Sequence, residues 1–202
     1  MKTSVKTLVS AAMTAILLSA SVLTSTAAVK SGEFKMMIAN QEIKKVIVTG
    51  NTKVFLVQSS TEWVSMDEGD LNKVSVKQIG NELHISSTES SPVSVTVYVK
   101  DLFRIDASNA VEVRTVGKFN LKYLQLILKD EAVARVKANT ESLYTVINDH
   151  ANLELLGSTG NHILKTDGVA TLNTEKFAAV QTNIVPSEDV VAMNGHRAKR
   201  VK

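Results

Sequence analysis

Five aspartates recur where the chain turns: Asp106, Asp130, Asp149, Asp167 and Asp189. If successive turns stack, their carboxylates form a ladder, and a hard cation or a sugar needs several such oxygens at short range. Two features argue against a calcium ladder. The aspartates stand at different offsets within their turns, and the G-G-x-G-x-D repeat of calcium-binding solenoids is absent. Asp is also a turn former in its own right, because its side chain bonds to nearby backbone. The expectation is solvent-facing turn residues. Polysaccharide lyases and hydrolases built on β-helices need clustered carboxylates on one face. Glu112 and Glu154 occupy equivalent places in the repeat that these turns punctuate, but their counterparts are Arg135, Thr171 and Ala192, a mixed outward face. The four histidines, His84, His150, His162 and His196, show no metal-ligand spacing. No G-x-S-x-G elbow occurs among the many Ser and Thr. Trp63, the single Trp, reads as a core or cap aromatic. No catalytic, cofactor-binding or metal-binding residue is assigned, and no cofactor is implied.

The ends of the chain speak to compartment. Lys2 and Lys6 make a positive start, an apolar stretch runs from Leu8 to Leu23, and Ser25-Thr26-Ala27-Ala28 places small residues at a cleavage site. That is the layout of a secretory signal peptide over residues 1–28. The apolar run is short for a membrane anchor, so no integral membrane segment is expected after cleavage. Cys is absent, which excludes lipidation through an N-terminal Cys and any disulfide. Removal of residues 1–28 lowers the net charge from +3 to +1, and Arg197, Lys199, Arg200 and Lys202 crowd the last six residues. Residues 29–195 are therefore near −3, and the basic pI belongs to the two ends. Nucleic-acid binding would want a basic face with interleaved aromatics, and the body has neither. Residues 29–42 read as a lead-in and 196–202 as a basic, solvated tail.

Those turns are positioned by strands. Residues 45–58 are two β-branched runs joined by Gly50-Asn51, which predicts a hairpin or tight bend. Residues 73–86 repeat the form around Ile79-Gly80-Asn81-Glu82. Val93, Val95, Val97 and Val99 alternate with Ser94, Thr96 and Tyr98, which predicts a strand with one apolar face. Helix signals are thin; Glu141 to Tyr144 and Glu175 to Val180 are the nearest candidates. Pro92 and Pro186 fall at strand beginnings or turns.

From Leu102 onward the chain repeats itself. Anchor pairs six residues apart recur: Ile105–Val111, Leu128–Ala134, Ile147–Leu153, Leu164–Ala170 and Val185–Val191. Each pair encloses a turn segment (DASNA, KDEAV, NDHAN, KTDGV, PSEDV), and the offsets between pairs are 23, 19, 17 and 21. A unit of that size cannot bury its apolar face alone, whereas stacked units share a continuous core. The prediction is an all-β fold, a single-stranded β-helix-like β-solenoid with coils of about 20 residues. At a sheet spacing of ~4.8 Å, five coils make a stack of roughly 25 Å. A β-sandwich with hairpins of similar length is the competing architecture.

The same residues carry a family resemblance. IKKVIVTGNTKVFLVQSSTEWVSMD, LNKVSVKQIGNELHIS and VSVTVYVKDLFRIDASNAVEV resemble three successive units of the "putative auto-transporter adhesin, head GIN domain" family. The likeness covers roughly residues 43–195. It implies a solenoid-like all-β domain and an exported location, the family being of unknown function and found largely in exported proteins of Bacteroidetes. The family's repeat turns are typically Ser-Gly or Ser-Gly-Ala. Here they are Ser108-Asn109-Ala110, Asp130-Glu131-Ala132, Asp149-His150-Ala151 and Asp167-Gly168, and one alone keeps Gly. Glu131 and His150 fit poorly in a glycine position, which predicts irregular C-terminal coils.

The functional expectation is an exported, non-enzymatic protein of the periplasm, cell surface or extracellular space. Repeated coils offer a long flat face and exposed backbone edges. These suit an extracellular polymer, a protein surface or another copy of the chain. A carbohydrate-active β-helix enzyme is the alternative.

Overall fold

The computed structural model describes residues 32–37, 41–167 and 169–186. Thirteen strands follow in chain order. They are β1 (Glu33–Met37), β2 (Lys45–Gly50), β3 (Thr52–Gln58), β4 (Trp63–Asp67), β5 (Ser75–Ile79), β6 (Glu82–Ser87) and β7 (Val93–Val99). Then come β8 (Arg104–Ala107), β9 (Glu112–Val116), β10 (Phe119–Leu128), β11 (Val133–Ile147), β12 (Asn152–Thr166) and β13 (Thr171–Pro186). One 3-10 turn, Glu68–Asp70, is the sole helical element among the described residues. The fold is all-β: a single curled, open sheet in the order β1-β4-β7-β3-β9-β11-β10-β8-β2-β6-β5, with β12 on β11 and β13 on β12.

The curl comes from strands that serve two neighbours. Residues 133–135 of β11 pair with β9, while residues 142–147 of the same strand pair with β10. The sheet therefore has two arms. The first holds β6, β2, β8, residues 123–128 of β10 and the second halves of β11, β12 and β13. The second holds β7, β3, β9 and the first halves of β11, β12 and β13. Alternation then sends every second residue of both arms to one shared interior. Val46, Val48, Val54, Leu56, Val95, Val97, Leu126, Leu128, Leu153 and Leu155 are all buried there. The four valines of β7 line it as their spacing predicts.

Antiparallel pairing among the described residues is confined to β1–β4, β4–β7 and β5–β6. The remaining pairs are parallel, and β2–β3 folds back between later strands: β6 and β7 lie on one side of it and β8 and β9 on the other. Gly50-Asn51 is accordingly a bend between the arms and not a hairpin. Gly50 has φ +80°, and a Cβ there would stand 1.9 Å from the carbonyl oxygen of Ser87. Gly80-Asn81 is the true two-residue hairpin, joining Ile79 to Glu82 with Gly80 at φ +61°. The two candidate helical stretches lie inside β11 and β13.

The parallel registers correct the alignment of the repeats. Ala107 pairs with Leu128, Leu128 with Ile147, and Ile147 with Thr166. On the second arm Val113 pairs with Ala134, Ala134 with Leu153 and Leu153 with Leu172. The stacked pairs are thus Ala107–Val113, Leu128–Ala134, Ile147–Leu153 and Thr166–Leu172, at offsets of 21, 19 and 19. Ile105–Val111 and Leu164–Ala170 are two residues early. The slip has a simple cause: strand periodicity is two, so residues two apart share a face and look alike in sequence. Val191 lies outside the described residues.

Candidate functional site

The inter-arm turns form one edge of the molecule. At the same place in three of them the backbone is left-handed: Asn109 at φ 66°, Asp130 at 59° and Asp149 at 60°. Each stands two residues past a stacked position (Ala107, Leu128, Ile147). Asn and Asp are the residues that tolerate this conformation best after Gly. Glu131 and His150 are one residue later and carry no such strain, so the lost glycines do not disturb the stacking of these turns.

The side chains at this edge bind the backbone across the stack. Gly50 N–H donates to Asn109 Oδ1 at 3.4 Å, and Asn109 N–H to Asp130 Oδ2 at 2.9 Å. Asp130 N–H donates to Asp149 Oδ2 at 3.1 Å, and Asp149 N–H to Asp167 Oδ2. Asp167 also accepts from Val169 N–H at 2.9 Å and Ala170 N–H at 3.3 Å. Burial pushes the Asp167 carboxyl up, but the N–H donors of Val169, Asp149 and Ala170 outweigh it and hold the group below the usual aspartate range. The ladder that the sequence hints at exists, but its oxygens hold amides of neighbouring turns. No group of three or more potential metal ligands occurs among the described residues. Asp106 stands apart from this edge, on β8, paired with Arg104 Nη2 at 2.8 Å. Asp189 lies outside the described residues.

Glu112 and Glu154 are not equivalent. Glu112 shares a register row with Val133 and Asn152, whereas Glu154 shares one with Arg135 and Arg114. Each is neutralised by its own neighbours: Glu112 by Lys53 at 3.0 Å and by Arg114 Nε, Glu154 by Arg135 Nη1 at 2.6 Å. For Glu112, burial raises the carboxyl, and Lys53 and Arg114 bring it below the ordinary value. Glu112 is thereby held ionised, and Glu154 is tied up by Arg135, which suits neither a proton donor nor a matched acid–base pair.

The outward face of the second arm carries a feature the strand periodicity contains but single residues do not announce. Trp63, Tyr98, Val57 and Val116 pair in succession across β4, β7, β3 and β9. The Trp63 and Tyr98 rings stack at 3.7 Å and 8°, and Lys35 Nζ from β1 stands 4.6 Å from the Trp63 centroid. Since β1 and β7 flank β4 on its two sides, Trp63 is sandwiched and serves as an outer-face cap. Phe55 and Arg114 lie side by side in the next row, and Val116 is half exposed. Further along, the same face turns polar, through Lys137, Glu154 and Asn173.

The histidines are scattered. His84 lies beside Glu82 at 3.2 Å, His150 is exposed in a turn, and His162 is buried against Thr145 at 3.1 Å and edge-on to Phe177 at 5.6 Å. His196 lies outside the described residues. A shallow depression of about 260 Å³ lies over β5 and β6, lined by Asn72, Lys73, Val74, Ser75 and residues 86–88. Its one charged group, Lys73, is paired with Asp70 at 2.8 Å.

This arrangement of parallel rows and stacked polar turns has relatives. The family model described as "Putative auto-transporter adhesin, head GIN domain" matches residues 42–187. The chain belongs to that family. Among solved structures, a "putative adhesin" from Bacteroides fragilis NCTC 9343 superposes with a TM-score of 0.62 at 14% identity, covering 78% of this chain and 79% of that one. A "putative adhesin" from Parabacteroides distasonis ATCC 8503 gives 0.55 at 13%, covering 76% and 77%. A "putative lipid binding protein" from the same organism gives 0.55 at 8%, covering 77% and 79%. At these identities the likeness is one of fold. No curated protein matches the chain.

Proposed function

We propose that this head GIN protein is an exported β-solenoid that binds and does not catalyse, engaging an extracellular polymer or protein surface at the cell envelope. The offsets of 21, 19 and 19 residues between stacked positions support coils near 20 residues. The signal-like start at residues 1–28 supports export. One observation carries the binding reading: the outward row Trp63–Tyr98–Val57–Val116, flanked by Phe55 and Arg114, on a rigid sheet. Val116 is exposed and the rings of this row are half-buried, and aromatic and apolar groups beside a guanidinium are what recognition surfaces are enriched in. The candidate acids, meanwhile, are committed to cations or backbone amides. The family description and the neighbouring adhesins point the same way.

The test is a panel of envelope polysaccharides and surface proteins presented to the purified chain, with Val116→Asp as the partner variant. Retention without turnover is expected, weakened at least about tenfold by a charge placed in the apolar row, with an unchanged melting profile. Release of reducing ends from any polysaccharide would overturn the reading in favour of a carbohydrate-active enzyme. Retention that ignores Val116→Asp would move the surface elsewhere.

A further inference from the structure

The two ends of the sheet are built differently, and β13 is the unguarded one. Among the described residues it pairs with β12 alone, which leaves the other edge of a 16-residue strand open. The interior is open there too. Leu153 and His162 on β12 are at most 2% exposed, whereas Ile184 is 63% exposed and Leu172 and Phe177 are half-buried. Val180 on the same strand is 90% exposed. Long, flat, apolar edges invite strand addition, and proteins ordinarily blunt them with charge, Pro or shortness. Between Thr171 and Val185, β13 carries only the adjacent pair Glu175 and Lys176. At the other end the terminal strands β1 and β5 are five residues each and bear Glu33, Lys35 and Lys77.

We propose that the β13 edge takes a second copy of this chain, antiparallel, in a two-fold dimer. The asymmetry of the ends selects this occupant. A head-to-tail stack would need a parallel, apolar acceptor edge, and the far end offers short charged antiparallel strands instead. An isologous contact uses one patch twice and closes on itself. The strand bends between its two arms, so a two-fold axis at the bend lays each arm on the opposite arm of the second copy. Core faces match only when paired residue numbers sum to an even value. An axis at Ala178 satisfies this, setting Leu172 opposite Ile184 of the second copy and Phe177 opposite its Ala179.

The chain is cysteine-free, which makes the test clean. In light scattering, the protein purified from cells that express the full sequence should have the mass of a dimer. Ala178→Cys should form an intermolecular disulfide under mild oxidation, and Ser75→Cys, at the far end, should not. Val180→Lys combined with Ile184→Lys should give a monomer with an unaltered strand spectrum. A monomeric wild-type chain at micromolar concentration overturns the proposal. If that monomer also protects the β13 amides from hydrogen exchange, residues 187–202 cover the edge. Larger assemblies would replace two-fold closure with a head-to-tail contact, and dimers cross-linked through Ser75→Cys would move the two-fold contact to the far end.

Discussion

The end of the sheet that holds β2, β6 and β7 is locked from several directions, while the end that holds β12 and β13 is simply stacked. At the first end β2 and β3 lie between later strands, antiparallel β4 and β5 cover β7 and β6, and charged side chains tie the corner. Lys44 bridges Glu42 and Asp101 at 2.9 Å each, Lys100 reaches Glu42 at 2.9 Å, and Glu62 accepts the backbone N–H of Ile43 and Lys100. At the second end each strand rests on the previous one through parallel ladders and a column of turn aspartates. Contacts at the first end join residues tens of positions apart, and those at the second join residues about 19 apart. The difference predicts one cooperative block that resists local opening and one that frays from β13 inward.

Two glycines allow a matched attack on both ends, and the largest effect is expected here. Gly50 and Gly157 both hold left-handed backbone, at φ +80° and +104°, and a Cβ would meet a carbonyl oxygen at 1.9 Å (Ser87) or 2.2 Å (Ala138). Gly50→Ala must push apart strands that are held from both sides, so a loss of about 3 kcal/mol or more is expected. Gly157→Ala clashes similarly, but β12 already carries an irregularity between Glu154 and Leu156 in its pairing with β13, and that terminal strand can yield. Its loss should be smaller, about 1–2 kcal/mol, with hydrogen exchange rising in β13 before β11. Equal losses from chemical denaturation would mean that the two ends are equally rigid.

The turn column gives a second, smaller contrast. Asp130→Ala leaves an alanine at φ 59° and removes the acceptor of the Asn109 N–H, and should cost about 1–2 kcal/mol. Asp130→Asn keeps both the tolerance of that conformation and an acceptor oxygen, and should be nearly neutral. Asp130→Gly should fall between them. If Asn were as harmful as Ala, the negative charge itself would matter, and added calcium should then shift the melting temperature of the wild-type chain alone.

Much of this architecture is legible in the sequence, and the losses have identifiable physics. Alternation exposes the strand character of β7 and the inward valines, because a two-residue period needs no partner to be seen. The repeats are visible, but their phase is not. Ile105 and Ala107 both face inward, so apolar type cannot say which of them stacks on Leu128. The polar turn residues hold that information, since Asn109, Asp130 and Asp149 recur at offsets of 21 and 19, in step with the true register. The return of β2 and β3 to lie between β6–β7 and β8–β9 leaves no local trace, because it is decided by packing between distant segments. The outer row of Trp63, Tyr98, Val57 and Val116 is hidden for the same reason: its members come from four strands, and the register alone brings them together.

Acid supplies the gentlest probe of the two ends. His162 is buried in β12 among Leu143, Thr145 and Phe177, and burial pushes its imidazole below the ordinary value. The folded chain therefore binds that proton less readily than the unfolded chain. The stabilising difference is fully present above the unfolded value near 6.5 and is lost as pH falls through the folded one. At the other end Glu42 is held at about 2 by Lys100 and Lys44, and Glu82 is lowered by Lys45. Their contributions are present above the ordinary glutamate value near 4.3 and are lost only below it. Asp167, although in the stacked half, likewise yields only at stronger acid. Between pH 6.5 and 4.5, then, the stacked end should soften while the locked end does not. Exchange normalised for intrinsic rate should show protection falling in β12 and β13 but not in β2 and β6. His162→Gln, which has no proton to gain, should flatten the decline. A loss spread evenly over both ends, or one indifferent to His162→Gln, would show that the molecule responds to acid as a single block.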